Sequence, residues 1–328
     1  MKVHLLAVAC ILGAITAANE ARAQSDYPNK TVRIVVDSAA GSANDATSRI
    51  IADRLSRMWG QQVLTLNHPG AGGGISVREA SQASNDGYTL YMPATSPFLA
   101  LPGAPGVAAN LPIELPRDFV AISLILEQPL YIGASHKSGI NSIADVIRMA
   151  KEKPGEVSYA ATGRGRLTHL TMELLQVRAG IKLQLVPYSG GPAQAMNDVM
   201  SGRVPLVLDG YAGLASAIKG NLIKGIASTA LKRPPGFENL PTIAETIPDF
   251  FVGAWNVMLA PNGTPIEIVR KVNADLRTAL DDVEINAKLA ANGAFVRHLA
   301  PAEVVLFVQN EQKIWRPILE QVAKEAAK

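Results

Sequence analysis

Three short stretches carry the residues that could do chemistry. They are Asp37-Ser38-Ala39-Ala40-Gly41-Ser42-Ala43-Asn44, Thr162-Gly163-Arg164-Gly165-Arg166-Leu167-Thr168 and Tyr188-Ser189-Gly190-Gly191-Pro192. Each follows a β-branched or apolar run and precedes a helical pattern, so each leads into a helix N-terminus. Such termini present orphan N–H donors and the positive end of the helix dipole, and they suit anions. Small residues let a ligand approach that main chain closely. The chemistry expected is capture of a carboxylate by backbone donors. Candidate ligand-binding positions are Ser38, Ala39, Gly41, Ser42 and Asn44 on the first stretch. On the second they are Thr162, Gly163, Arg164, Gly165, Arg166 and Thr168, and on the third Tyr188 and Gly190. Thr95, just past a later apolar run, is added to them.

Arg164 and Arg166 sharpen this reading. A guanidinium is a planar fork matched to a carboxylate, and a hydrogen bond to a charged group contributes roughly 1.5–3 kcal/mol. Their alternation turns the two side chains in different directions. Asp37 is an awkward neighbour for an anion: it must either hold donors of its own or meet an amine or hydroxyl on the ligand. Asp45 reads as the cap of the helix that follows. His169 reads as a structural side chain.

Signatures of catalysis are absent. There is no G-x-S-x-G elbow, no G-x-x-x-x-G-K-[ST] loop, no H-E-x-x-H, and Gly163-Arg164-Gly165 lacks the third glycine of a dinucleotide fingerprint. His68, His136, His169 and His298 are scattered without metal spacing, so neither a metal nor a cofactor is expected. Aromatics are 5% of the 328 residues and the formal charge is +3, which disfavours a base-stacking or phosphate-tracking surface.

The elements that must position these stretches alternate. Strands are expected over 31–36, 62–66, 88–92, 120–126, 130–133, 157–161, 183–187 and 204–208, the last ending at Asp209. Helices are expected over 45–59, 75–84, 142–153, 167–179 and from Pro192 to Ser201. A proline- and glycine-rich surface loop is expected over 100–116, and a mainly helical tail, punctuated by Pro301 and Pro317, over 265–328. The βαβ rhythm implies a largely parallel sheet with helices on its faces, and it restarts after residue 126. Hydrophobic residues are 48%, enough for two cores in a chain of this length.

The N-terminus reads as an export signal. Lys2 precedes an apolar run from Val3 to Ala18, and Ala21-Arg22-Ala23 fits a small-x-small cleavage site, with the cut after Ala23. The run is shorter than the roughly 20 residues that span a bilayer. Cleavage removes Cys10, the only cysteine, and with it disulfides and thiolate chemistry.

The order and spacing of several motifs carry a resemblance over nearly all of residues 27–325. They are Tyr27-Pro28, Ile34 to Asp45, Asn67-His68-Pro69-Gly70-Ala71-Gly72-Gly73 and Asp86-Gly87-Tyr88-Thr89-Leu90. Further ones are Tyr159-Ala160 through His169-Leu170, Val186-Pro187-Tyr188 with Gly190, and Ala260-Pro261-Asn262-Gly263-Thr264-Pro265. Together they resemble the extracytoplasmic solute receptors of the tripartite tricarboxylate transporter system, the Bordetella uptake gene (Bug) family. The resemblance implies a periplasmic-binding-protein fold of type II, in the α/β class. Each lobe is a mixed, mostly parallel sheet flanked by helices, and a ligand cleft lies between the lobes. Lobe 1 is expected over 27–124 plus 253–328 and lobe 2 over 125–252, with two crossings forming a hinge. Asp209 sits where relatives often carry an acid at a strand end facing the cleft. The implied function is capture of a small carboxylate in the periplasm and its delivery to a membrane permease with a large and a small subunit. Oligomeric state has no signature in the sequence, and a monomer is the default expectation.

Two departures stand out against that family. Its first loop usually holds several prolines and adjacent glycines, whereas here it reads Asp37-Ser38-Ala39-Ala40-Gly41-Ser42. The second-lobe loop is commonly neutral, whereas here it carries Arg164 and Arg166, which suggests a ligand with an extra negative charge. A sensor for a membrane signalling partner and an exported enzyme acting on a carboxylate are the alternatives. Ligand identity stays open among dicarboxylates, tricarboxylates, aromatic carboxylates, amino acids and nicotinate-like acids, with Phe98, Tyr188, Tyr211 and Trp255 as potential walls.

Overall fold

A computed structural model describes residues 27–102, 107–164, 166–188 and 192–326. The expected signal segment and its cleavage site lie outside the described residues.

In chain order the first lobe begins with β1 (Val32–Val36), α1 (Ala43–Trp59), β2 (Val63–Asn67), α2 (Gly74–Gln82) and β3 (Thr89–Tyr91). Then come β4 (Phe119–Ser135), α3 (Ile143–Glu152), β5 (Ser158–Ala161), α4 (Leu167–Ala179), β6 (Gln184–Pro187), α5 (Pro192–Ser201), β7 (Leu206–Gly210), α6 (Tyr211–Lys219) and β8 (Ile223–Ser228). The chain ends with β9 (Gly253–Pro261), α7 (Ile266–Leu280), α8 (Val283–Ala291), β10 (Phe295–Leu299) and α9 (Pro301–Ala326).

Two mixed sheets share one strand. In the first, β1 runs parallel to β2 and β3, while β9 is antiparallel to β3 and to residues 119–129 of β4, whose other side pairs with β10. In the second, residues 130–135 of β4 pair antiparallel with β7 and β8, and β5 runs parallel to β6 and β7. Each sheet is buried on both faces. Ile34, Val36, Ile51 and Leu55 pack one face of the first, and Val35, Tyr91, Phe119 and Trp255 the other. Ile132, Tyr159, Leu208 and Leu175 pack one face of the second, and Tyr131, Val207, Leu214 and Ile223 the other. This is the two-lobed α/β architecture that the resemblance implies.

Several local expectations are corrected. The two short strands expected over 120–126 and 130–133 are one strand of 17 residues. Pro129 stands where β4 changes partners, the point at which a missing N–H disturbs the ladders least. The stretch 100–116 is not a surface loop in its second half: Leu111, Ile113 and Leu115 alternate inward into the core. Helix α1 starts at Ala43, and its N-cap is Ser42, whose hydroxyl accepts from the Asp45 amide, so Asp45 stands in the first turn instead of capping it. The tail is not uniformly helical, since β10 interrupts it. Pro301 opens α9, where its missing N–H is harmless, and Pro317 lies inside that helix without ending it. Val304 and Val308 of α9 pack into the first lobe, and Trp315 and Leu319 into the second.

Candidate functional site

A cavity of about 260 Å³ lies between the sheets. It sits beyond the carboxyl ends of β1, β2, β3, β5, β6 and β7, the place where open α/β sheets hold ligands. Of the residues singled out from sequence, Ser38, Ala39, Ser42, Asn44, Thr95, Thr162, Gly163, Arg164, Arg166, Thr168, Tyr188 and Asp209 line it. Gly41 does not; its N–H donates to the Asp45 carboxylate at 2.9 Å and shapes the turn. Gly165 and Gly190 lie outside the described residues. Of the four aromatic walls considered, only Tyr188 lines the cavity. Phe98 and Trp255 are buried against each other, 4.9 Å between ring centres.

Asp37 and Arg166 meet across the cleft. An Arg166 Nη1 donates to Asp37 Oδ2 at 2.6 Å, with the acid side chain fully buried and the arginine 12% exposed. The other carboxylate oxygen, Oδ1, accepts from the Ala94 amide at 2.8 Å, from Asn44 Nδ2 at 3.2 Å and from the Ser38 hydroxyl at 3.3 Å. Arg166 also donates to the Gly72 carbonyl and to Ser38 Oγ. A buried ion pair persists only when such further bonds satisfy both partners. The awkward acid is thus a receiver of protein donors. Beside this pair, the Leu167 amide donates to Ser96 Oγ at 2.7 Å, a second buried link between lobes.

Several other polar side chains are also spent on the protein, whereas the Gln128 amide, which lines the cavity, makes no side-chain hydrogen bond among the described residues. The Thr95 hydroxyl bridges to the backbone of Trp255. Asn44 donates to Asp37, Ser38 and Met92 and accepts from Asn256. Thr168 Oγ1 accepts from the Thr162 amide and bonds its hydroxyl, which fixes the turn into α4. Tyr188 donates its hydroxyl to Asp198. The first helical turns that line the cavity add main-chain donors, those of Ala43 and Asn44 in α1 and of Thr168 in α4, at positions that no helix carbonyl can reach.

Two ionisable groups on the wall differ from this pattern. Asp209 is buried, its Oδ1 accepts from the Gly210 amide, and its Oδ2 has no partner among the described residues. Burial pushes its carboxyl up to about 6, against the pull of the Gly210 N–H and of Arg166. Arg164 is exposed and, among the described residues, has neither a hydrogen bond nor an ion pair.

The loop Gly70-Ala71-Gly72-Gly73, with Ala94, Ser96 and Gln128, also lines the cavity but is absent from the sequence-based candidates. The glycine run follows β2 and could have been found by the same strand-end rule. A Cβ on Gly73, at φ +106°, would fall 2.6 Å from Pro97 Cγ and 3.1 Å from Asp37 Oδ2. Gly210 faces Ala43 across the cleft so closely that a Cβ there would collide with the alanine methyl.

Two α/β lobes around a cavity lined by helix N-termini define a solute-binding protein of the periplasmic type. The family model "Tripartite tricarboxylate transporter family receptor" matches residues 47–324, and the chain belongs to that family. It is similar to Protein BugT of Bordetella pertussis, 29% identical over 97% of each chain. Among solved structures it resembles the periplasmic binding protein BugD, with a TM-score of 0.81 and 30% identity over 90% of this chain and 98% of that one. It also resembles Rpa4515 of R. palustris, solved with adipate, with a TM-score of 0.84 and 28% identity over 91% and 98%. The family is one of periplasmic solute receptors. No helix among the described residues is long and apolar enough to cross a membrane.

Proposed function

We propose that the protein captures a small carboxylate in the cleft and hands it unchanged to a membrane permease with large and small subunits. The first-turn amides of α1 and α4 would hold the carboxylate, with Arg164 and Asp209 on the rim and wall. The observation that carries this reading is that the helix N-termini of α1 and α4 open on the cavity while Asp37, Asn44, Thr95 and Thr168 are spent on the protein, which leaves main-chain donors for the ligand beside the side chains of Gln128, Arg164 and Asp209. The adipate-bound relative supports the ligand class. Lobe 1 is built mainly on 27–124 with 253–328 and lobe 2 on 125–252, with β4 changing sheets at Pro129 and the end of α9 packing on lobe 2. The mature receptor begins at Gln24 and works as a monomer in the periplasm, without catalysis. Binding favours the closed state by differential affinity.

The test is a thermal-shift screen of residues 24–328 against small carboxylates. A ligand at 100 times its Kd adds about 2.7 kcal/mol, a shift of several degrees for a chain of this size. A hit recovered chemically intact is expected. A hit consumed over time makes the protein an enzyme, and silence across the panel from folded, ligand-free protein removes the carboxylate reading. Capture of a permease subunit from solubilised membranes tests the delivery step.

A further inference from the structure

The cleft brings two arginines and two acids to one cavity, and only one arginine and one acid pair there. Arg166 is taken: Asp37 Oδ2 receives its Nη1 at 2.6 Å, and Gly72 and Ser38 take its other bonds. Asp37 belongs to the first lobe and is held there by the Ala94 amide and Asn44. It occupies the place on Arg166 that a ligand carboxylate would otherwise fill. Arg164 stands two residues away on the same loop, faces the cavity, and is exposed and unpaired among the described residues. Asp209, the remaining acid on the wall, makes no ion pair among the described residues; its Oδ1 is taken by the Gly210 amide. The helix N-termini can hold one carboxylate of a ligand, and among the described residues Arg164 is left as the lining guanidinium without an ion pair, with Asp209 as the lining acid without one.

We propose that Asp37 sets the charge selectivity of the cleft by occupying Arg166, which leaves Arg164 to meet a second acidic group on the ligand. This rests on the carboxylate reading and narrows it to ligands with two acidic groups. Asp37 is a built-in anion that lowers by one the number of negative charges the site accepts. A guanidinium engages a carboxylate in a fork, so the discrimination falls on the second acid and not on chain length.

The two oxygens of Asp37 make the test clean. Oδ1 takes the three contacts within its own lobe, and Oδ2 takes Arg166 alone. In Asp37→Asn the amide oxygen can keep the first set while an NH₂ faces Arg166, so the ion pair is lost and the loop contacts are kept. Arg164 is exposed, so Arg164→Gln does not threaten the fold. Calorimetric titration with succinate, glutarate, adipate and pimelate, each beside its monoamide, gives a diacid-to-monoamide affinity ratio for each chain length. With wild type the ratio favours the diacid. Arg164→Gln is expected to lower the ratio at least tenfold, and Asp37→Asn to raise it at least tenfold by releasing Arg166. An unchanged ratio in Arg164→Gln overturns the proposal, and so does an unchanged ratio in folded Asp37→Asn. Should wild type bind diacids and monoamides equally, the carboxylate reading stands and this inference falls. Should it bind none of them, both fall.

Discussion

Asp209 holds its charge only against its surroundings. The carboxyl is buried, one oxygen is unsatisfied, and its pKa is displaced upward from 3.8 to about 6. Between about pH 4 and 6 the native state keeps a proton that the unfolded chain has lost. Stability contributed by this site therefore falls as pH rises through that window and levels off above it. Asp209→Asn is expected to remove the slope and to be more stable than wild type at pH 7.5, by on the order of 1–3 kcal/mol. Urea midpoints at pH 4.5 and 7.5 would show it; an equal difference at both values would mean that ionisation is not the cause. Residue types were the part of the site most readable in sequence. Small loops after strands, two arginines on the second-lobe loop and an acid in need of donors all follow from local pattern, whereas the expected divergence of the arginines does not hold, since both line one cavity. The partner of Asp37 was not readable. Arg166 lies 129 positions away, and only the closing of one lobe on the other brings it near.

Helices carry the donors, so their starts matter more than their lengths. Ser42 caps α1 through the Asp45 amide, 3.3 Å away, at the rim of the cavity. Ser42→Ala is expected to cost about 1 kcal/mol, a loss of about 2 °C in Tm by differential scanning calorimetry. It should also weaken ligand binding by a small factor, because the free first-turn amides lose their orientation. A Tm equal to wild type would mean that the hydroxyl does not hold the helix start. Most βα units of the first and second lobes were legible from period and turn chemistry, because each buries its strand and amphipathic face locally. The strands that were misread or left unread share one cause. β4, β9 and β10 owe their form to partners far along the chain: β9 pairs with β4 across more than a hundred residues, and β10 is pinned to Leu124, Leu126 and Glu127. Neither a 17-residue strand containing Pro129 nor a strand inside a helical tail has a local signature. The run Leu111, Ile113, Leu115 likewise looks like loop until Val257 and Val304 cover it.

At the scale of the molecule, the closed form depends on how near the lobes can come. Gly210 has an ordinary φ of −62° and ψ of 152°, which alanine adopts without strain. Its lobe therefore tolerates Gly210→Ala, whereas the closed cleft does not, because the new methyl would meet that of Ala43. The variant is expected to keep its Tm within a few degrees and to lose at least tenfold in ligand affinity. Small-angle scattering should show no contraction when ligand is added. Normal contraction with unchanged affinity would mean that the lobes do not close as far as Gly210 and Ala43 indicate.

Three uninterrupted pieces of chain pass from one lobe to the other: β4 through Pro129, the segment after β8 that returns as β9, and α9 from Val308 to Trp315. Any opening of the cleft must flex all three together, like leaves of one spring. The stiffness of that spring is then part of the binding constant. Pro317 sits just past the third leaf, at its anchorage beside Trp315 and Leu319, and leaves the Lys313 carbonyl within that leaf without its helical donor. A helix softened at that point yields more readily than an unbroken one. Affinity in this receptor can accordingly be retuned by the compliance of a helix that never touches the ligand.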